Sequence, residues 1–472
     1  MIALVVGQVL IWALGSAWVA VLWRRSFTSG DHSVLALHSR AIIVGYGYAA
    51  GTLFLTLWMR LLSVVGISWS WLSIAVPIVT LTALAVRQLP ATERRELLRF
   101  GKVRVDDVAV AGSTSRLHVI LWWTFGVLIG MHLLLAALEV IWRPLFPWDA
   151  WTQWATKARV WYEMSRQVPF SNGMTWFAGN SYIDAAPGYP ANLPLLQVWA
   201  SISAGRWDDS LINLPSLFLA VALATGLYGQ MRYAGRGALL AIAAAYAVVS
   251  LPILDTHIAL GGYADLPLAV YFSLSAIALW QWLDGGDRRQ LVLAAALAIA
   301  CPLTKNPGWV WLATLVPAVV IARSPVRGTL TIAIIALASA LLMFAFGRTE
   351  MALMGYRVGM TYTSIWEPLW QNYYEFANWH LLWYLLQPLM IWNGRRLFQP
   401  PLIAGTVIVL CGLAFLFIGF SFSNAATWVS DYSTVNRATL HFAPVVVFYL
   451  FCLVHELVWD AAQHRRRAPS PG

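Results

Sequence analysis

The sequence predicts an all-α polytopic membrane protein of about thirteen transmembrane helices, with loops and juxtamembrane helices on its outer face. Apolar residues make up 60% of the 472 residues, and charged residues only 11%, against roughly 25% in a typical soluble domain. The apolar residues form runs of about 20, the length that crosses a bilayer as a helix. Lys and Arg cluster between these runs, so the formal charge of +10 indicates cytoplasmic loops rather than a nucleic-acid-binding surface.

Hydropathy alone places the predicted spans. The first is interpreted as a retained span and not a signal peptide, because no small-residue cleavage site follows it. We expect residues 1–117 to form an N-terminal module of three spans with a basic cytoplasmic loop, 118–459 a larger membrane module, and 460–472 a basic tail. The spans are predicted at about 2–23, 41–63, 68–86, 118–141, 211–229, 237–254, 266–283, 291–304, 308–322, 328–346, 379–393, 399–420 and 440–459.

The distribution of cations predicts an outer N-terminus and a cytoplasmic C-terminus. With this orientation most of the 31 Lys and Arg residues fall in inner segments, as the positive-inside rule requires. The orientation depends on the apolar piece 193–205, which is too short to span and is predicted to lie as a helix at the outer interface. No soluble domain is predicted, so any chemistry must take place at outer loops and helix ends.

Cysteine chemistry is not expected. Cys301, Cys411 and Cys452 all lie in apolar runs without metal-ligand or disulfide spacing, which is typical of core residues.

The segment "RPLFPWDAWTQWATKARVW" places a single acid, Asp149, in an aromatic loop before a predicted interfacial helix. An aspartate there can cap the helix by accepting hydrogen bonds from its first N–H groups, or it can act chemically. Trp148 and Trp151 can belong to an interfacial aromatic belt or stack on sugar rings. The sequence leaves these alternatives open.

Four acids are expected at the outer surface: Asp149, Asp184, Asp255 and Asp265. Asp265 could also be a helix cap, since Pro267 follows within one turn. Acids near a bilayer are costly and usually have partners or a function. Their accumulation on one side therefore indicates a functional site.

Several cations run against the charge bias on the same side. Lys305 lies at the corner "LTKNPG", where it could simply extend to the interface. Arg437 and His441 begin the last span, and Arg348 and Arg357 lie in an outer loop. A phosphate at headgroup level would satisfy such cations through charge-assisted hydrogen bonds, while an acid could deprotonate an acceptor hydroxyl.

Taken in order, these segments resemble the GT-C glycosyltransferases, membrane enzymes that use polyprenyl-phosphate sugars and include protein O-mannosyltransferases and lipid A aminoarabinose transferases. The resemblance covers about 118–449. It departs from the family in the three additional N-terminal spans, and in "WDA" where many members have paired acids, which counts against a metal-binding pair there. The matching pieces are "FPWDAW", "APGYPANLPLLQVWASISAG", "RWDDSLINLPSLFLA", "YADLPLA", "LTKNPG" and "NRATLHFAPVV".

The resemblance implies an inverting transfer of a sugar from polyprenyl phosphate to a hydroxyl of a glycan, lipid or protein, at the periplasmic face of a bacterial inner membrane. It implies Asp149 as general base, Asp265 as a second acid that orients a substrate, and Lys305, Arg437 and Arg348 as the cations that hold the lipid phosphate. No cofactor is required; a divalent metal is possible but not indicated. Further candidates for substrate binding are Trp148, Trp151, Asp184, Asp255, Tyr263 and His441.

Two other functions use similar residues. A transporter or flippase of lipid-linked saccharides would bind the same substrates without chemistry, and a ligase or polymerase would transfer whole lipid-linked glycans. A transporter is expected to have charged residues at the bilayer midplane. The ionisable residues of this sequence lie near span ends, which favours the enzyme.

Overall fold

The computed structural model is a bundle of long helices with short strands only in the connecting loops. It describes residues 1–24, 35–91, 94, 116–173, 179, 181–259, 261–346, 351–353, 356–359 and 361–467. Arg348 and most of the predicted basic loop after the third span lie outside these residues.

The N-terminal half contains the longest helices and one extended connection. Residues 150–154 of that connection form a π-helical turn, and the parallel strands β1 (Phe170–Ser171) and β2 (Tyr182–Ile183) pair within it. The helices are α1 (Ile2–Trp23), α2 (Leu35–Val64), α3 (Trp71–Gln88), α4 (Arg116–Trp142), α5 (Ala155–Met164), α6 (Asn192–Ala204), α7 (Leu214–Tyr233), α8 (Ala238–Val249) and α9 (Pro252–Ala259).

The C-terminal half alternates long and short helices. The antiparallel strands β3 (Met351–Leu353) and β4 (Tyr356–Val358) form a hairpin in one of its loops. The helices are α10 (Asp265–Gly285), α11 (Arg288–Thr304), α12 (Pro307–Ala313), α13 (Val316–Arg323), α14 (Pro325–Phe346), α15 (Trp366–Trp370), α16 (Leu382–Asn393), α17 (Ile403–Ser421), α18 (Thr434–Leu440) and α19 (Ala443–Arg467).

The helical membrane-protein character is confirmed, but the full number of spans is not. Among the described residues, 8 helices are long and apolar enough to cross a membrane, or up to 10 if each of two bent pairs forms one span. The three remaining predicted spans, 291–304, 308–322 and 379–393, correspond to α11, the broken pair α12 and α13, and α16. These are too short to meet the same criterion.

The two bent pairs are α8 with α9, at 60°, and α18 with α19, at 55°. In each pair a proline, Pro252 or Pro444, lies in the first turn of the second helix, where its missing N–H costs no helical hydrogen bond. The bends turn α9 away from the axis of α8, and α18 away from the axis of α19. Both short helices carry residues of the candidate site.

The apolar piece 193–205 is helical, as expected, and lies against other helices of the protein over most of its surface. Most of the 13 residues of α6 are buried, because the helix packs against α1, α2 and α5. The indole N–H of Trp199 donates to the carbonyl of Gly7, 3.2 Å away. Hydropathy could not distinguish burial against protein from burial against lipid.

The N-terminal helices share one hydrophobic core with the rest of the chain. A single cluster of buried apolar side chains contains residues from both ends of the chain, from Leu4 to Leu453. Tyr46 of α2 donates its hydroxyl to the carbonyl of Leu274 in α10, 2.8 Å away, and α2 packs closely on α7. The helices within residues 1–117 therefore pack in the same bundle as the later helices.

Gly45→Leu is expected to destabilise the protein strongly. A Cβ atom at Gly45 would lie 2.2 Å from the backbone nitrogen of Gly226 on α7, so the two helices would have to separate. Overpacking of this kind costs about 1–3 kcal/mol or more. Gly130→Leu is the matched control, because no described atom lies within 4 Å of a Cβ there. Thermal unfolding in detergent should show a large loss for Gly45→Leu only; equal melting temperatures would contradict the packing.

Candidate functional site

Asp265, the first residue of α10, holds three side chains at one end of the bundle. Its side chain is fully buried. Oδ1 lies 2.6 Å from Lys305 Nζ and 2.8 Å from His441 Nε2. Oδ2 lies 3.1 Å from Arg437 Nε and 3.0 Å from Arg437 Nη2. The carboxylate is therefore occupied by partners and does not cap its helix, whose cap position is Ala264.

Lys305 follows the last residue of α11 and points into the protein. It is only 7% exposed, so the alternative that it extends to the membrane surface does not hold. Burial lowers the pKa of Lys305 below its ordinary value, although the Asp265 carboxylate counteracts the shift. Its Nζ donates to Asp265 Oδ1.

Arg437 of α18 connects two acids from distant parts of the chain. Its Nη1 lies 2.8 Å from Asp149 Oδ2, while Nε and Nη2 contact Asp265. The guanidinium carbon lies 4.4 Å from the ring centre of Tyr263, within the range of a cation–π interaction. Burial raises the pKa of Tyr263, so its hydroxyl is neutral. Arg437 is thus the central residue of the site.

Asp149 directs its carboxylate to Arg437 and not to the helix that follows. It occupies the position before the turn Ala150–Trp154, yet its side chain makes no capping hydrogen bond, which argues against the capping alternative. The side chains of Asp149 and Arg437 are 27% and 21% exposed. They form the accessible side of the site, and Asp265 forms its buried side.

His441 is neutral in this arrangement. The indole Nε1 of Trp311 lies 3.0 Å from His441 Nδ1, and an indole nitrogen can only donate. Nδ1 therefore carries a lone pair, and Nε2 carries the proton that is donated to Asp265. We call Asp149, Asp265, Lys305, Arg437 and His441 the ion cluster; its two acids and two cations balance, which stabilises charges that would otherwise be costly to bury.

Asp184, predicted as a site residue, lies apart from the ion cluster in a second buried pair. Its Oδ1 accepts from the backbone N–H of Ala186 at 2.7 Å and lies 3.7 Å from Lys157 Nζ. Lys157 also donates to the carbonyl of Ala186 at 2.7 Å. Burial raises the pKa of Asp184 and lowers that of Lys157. The pair holds the loop before α6.

The other predicted residues have different surroundings. Asp255 lies 3.0 Å from His132 of α4 and is not a member of the ion cluster. Trp148 and Trp151 pack edge to face, with ring centres 5.3 Å apart, and are 69% and 48% exposed. Both rings are therefore accessible next to Asp149.

Asn436, next to Arg437, is a residue that the sequence reasoning missed. It is 4% exposed; its Oδ1 accepts from Trp379 Nε1 at 3.2 Å and its Nδ2 donates to Asn372 Oδ1 at 2.5 Å. These bonds tie α18 to the loop before α16 and so fix the position of Arg437. A single Asn beside an Arg gives no signal in sequence, because its partners are far along the chain.

Asn436→Ala is expected to lower the free energy of unfolding by about 1–3 kcal/mol, because Trp379 and Asn372 would lose a partner in a buried place. Thermal unfolding in detergent measures the loss. Ser430→Ala is the control, since that exposed hydroxyl bonds only to the nearby carbonyl of Thr427. Equal melting temperatures for the two variants would show that the Asn436 bonds do not fix α18.

Among the residues that the structure describes, no group of three or more His, Cys, Asp or Glu side chains is arranged to hold a metal ion.

Comparisons of the chain with models of protein families, with curated proteins and with solved structures find no match. The fold and the site together define a helical membrane protein with a largely buried ion cluster at one end of its bundle.

Proposed function

We propose that the chain is a glycosyltransferase that moves a sugar from a polyprenyl-phosphate donor to a hydroxyl acceptor, at the outer face of a bacterial inner membrane. The observation that carries the proposal is the bridge made by Arg437 between Asp149 and Asp265. It brings together an accessible acid, able to take a proton, and two cations, able to hold a phosphate. Transfer from a lipid phosphate requires both functions side by side.

The reaction is a direct displacement. The acceptor hydroxyl gives its proton to the Asp149 carboxylate as its oxygen attacks the anomeric carbon. The bond from that carbon to the phosphate oxygen breaks, and its electron pair leaves with polyprenyl phosphate. Lys305 and Arg437 stabilise the negative charge on the leaving phosphate, and the configuration at the anomeric carbon inverts.

Asp265 takes a different part in this mechanism from the one implied by the family resemblance. Its side chain is completely buried and both of its oxygens are engaged by Lys305, Arg437 and His441. It has no oxygen directed to the accessible side. We therefore assign it as a positioning residue that fixes the two cations, rather than one that touches donor or acceptor.

Arg437 must change partners during the reaction. A donor phosphate approaching from the accessible side competes with Asp149 for Nη1, because both ligands offer anionic oxygens to the same N–H group. Binding of the phosphate would release the Asp149 carboxylate, which is then free to accept a proton. The donor is therefore expected to bind before the base becomes active.

The test is donor consumption by the purified protein in liposomes supplied with a panel of polyprenyl-phosphate sugars and a mixture of hydroxyl acceptors. We expect at least one donor to be consumed. Consumption should be lost in Asp149→Asn and kept in Asp209→Asn, which changes an exposed acid outside the ion cluster. Donor binding without consumption would instead support a transporter, and neither binding nor consumption would reject the proposal.

A further inference from the structure

His257 of α9 is a buried histidine beside the ion cluster whose tautomer is fixed by the fold. It is 5% exposed. Its Nδ1 lies 2.7 Å from the carbonyl oxygen of Ile253, and a carbonyl can only accept. Nδ1 therefore carries the proton, and Nε2 carries a lone pair.

Nε2 of His257 is buried and has no hydrogen-bond partner among the residues that the structure describes. Leaving a buried acceptor unpaired costs about 1–3 kcal/mol, so such atoms are rare and call for an explanation. The contact at Nδ1 holds the ring so that Nε2 remains available as an acceptor. Other histidines that bind or react through one nitrogen are oriented through the other in the same way.

Tyr263 connects His257 to the accessible side of the ion cluster. Its ring centre is 5.7 Å from that of His257 and 4.4 Å from the guanidinium carbon of Arg437. The His257 ring is therefore separated from Arg437 by no more than these two distances together, which is about the extent of a hexose phosphate.

Among the residues that the structure describes, the charged groups with the largest effect on His257 are Asp265, Arg437 and Lys305, which belong to the ion cluster. On α4, which also packs against α9, the ionisable neighbour His132 is engaged by Asp255. None of these groups donates a hydrogen bond to Nε2.

We propose that Nε2 of His257 accepts a hydrogen bond from a hydroxyl group of the donor sugar. This inference rests on the proposed function, since it takes the phosphate of the donor to lie at Arg437 and Lys305. Because Nε2 is buried, the sugar reaches it only when a neighbouring side chain moves. Phosphate binding at Arg437 disturbs the contact between the guanidinium and half-buried Tyr263, and the movement of Tyr263 opens the path to Nε2.

Two substitutions test the roles of the two nitrogen atoms of His257 separately. His257→Asn keeps an N–H group near the position of Nδ1, able to donate to Ile253, but removes the acceptor at Nε2. His257→Gln reaches the position of Nε2 with a carbonyl oxygen and gives up the bond to Ile253. If His257 has only a structural role, His257→Asn should behave more like the wild type than His257→Gln. If His257 binds a sugar hydroxyl, His257→Gln should bind the donor more like the wild type than His257→Asn.

The experiment measures equilibrium binding of two probes to the full chain in liposomes: polyprenyl phosphate, and the polyprenyl-phosphate hexose that the wild type binds most tightly. His257→Asn should weaken binding of the sugar-bearing probe by about tenfold, the value of one neutral hydrogen bond, and leave polyprenyl phosphate unaffected. His257→Gln should stay close to the wild type with both probes.

The inference is overturned if His257→Asn binds the hexose-bearing probe like the wild type, if it weakens both probes equally, or if His257→Gln loses as much as His257→Asn. Melting temperatures of both variants identify a general loss of folding. The binding assay needs no turnover. If His257→Asn selectively loses binding of the hexose-bearing probe while the wild type consumes no donor, the transferase is rejected and the sugar-binding role of His257 is supported. A wild type that binds neither probe would reject both.

Discussion

Asp149→Asn is expected to lower donor turnover by about 10²- to 10⁴-fold, the usual contribution of a positioned general base, and at the same time to tighten donor binding. The first effect follows because an amide cannot accept the proton of the acceptor hydroxyl. The second follows because Asp149 Oδ2 lies 2.8 Å from Arg437 Nη1 and competes with the donor phosphate for that group.

The size of the second effect depends on the hydrogen bond that the phosphate no longer has to displace. Hydrogen bonds to charged groups contribute about 1.5–3 kcal/mol, which corresponds to roughly 10- to 100-fold in affinity. Part of this is retained, because the Asn carbonyl can still accept from Arg437. We therefore expect the Kd for polyprenyl phosphate to fall by about tenfold or less, with kcat and KM falling together.

The measurement combines steady-state kinetics with direct binding of polyprenyl phosphate. Asp209→Asn, at an exposed acid that accepts from Trp207, controls for the loss of one negative charge and should leave both quantities unchanged. A fall in kcat with weaker phosphate binding would show that Asp149 helps to hold the donor. An unchanged kcat in Asp149→Asn would show that another acid is the general base.

The sequence predicted the members of the ion cluster better than their arrangement. Acids near a bilayer are costly, which indicates Asp149 and Asp265, and outer cations run against the charge bias, which indicates Lys305, Arg437 and His441. Which of them touch depends on the bends at Pro252 and Pro444 and on the packing of α10, α11 and α18, and hydropathy reports neither. Asp184 and Asp255 met the same sequence criterion and lie in separate pairs, with Lys157 and His132.

The spans were predictable where a helix is both long and apolar, and less so where the chain bends. Predicted segments such as 2–23 and 399–420 match α1 and α17 closely, because unbroken apolar runs can only be helices in a bilayer. The segments at 308–322 and 379–393 contain breaks or are short, so the structure does not confirm them as spans. His257 and Asn436 were missed because a buried lone pair or an amide network has no local pattern.

Asp265→Asn is expected to destabilise the protein by about 3–5 kcal/mol, the cost of breaking a buried ion pair by removing one partner. The substitution keeps the shape of the side chain but leaves Lys305 and Arg437 close together without the carboxylate that separates them. Its amide nitrogen cannot accept a hydrogen bond, so the donors at one of the two oxygen positions, either Lys305 at Oδ1 or Arg437 at Oδ2, would lose their acceptor. Thermal unfolding in detergent measures the loss.

Two further variants make the Asp265 prediction specific to charge. Asp255→Asn removes an acid with a 39% exposed side chain and a single histidine partner, and should cost less than about 1 kcal/mol. Lys305→Met in the Asp265→Asn background removes one uncompensated cation and should recover part of the lost stability, a coupling that a double-mutant cycle quantifies. If Asp265→Asn melts like Asp255→Asn, or if Lys305→Met lowers stability further, then the cluster is held by packing and Asp265 is not the residue that fixes its cations.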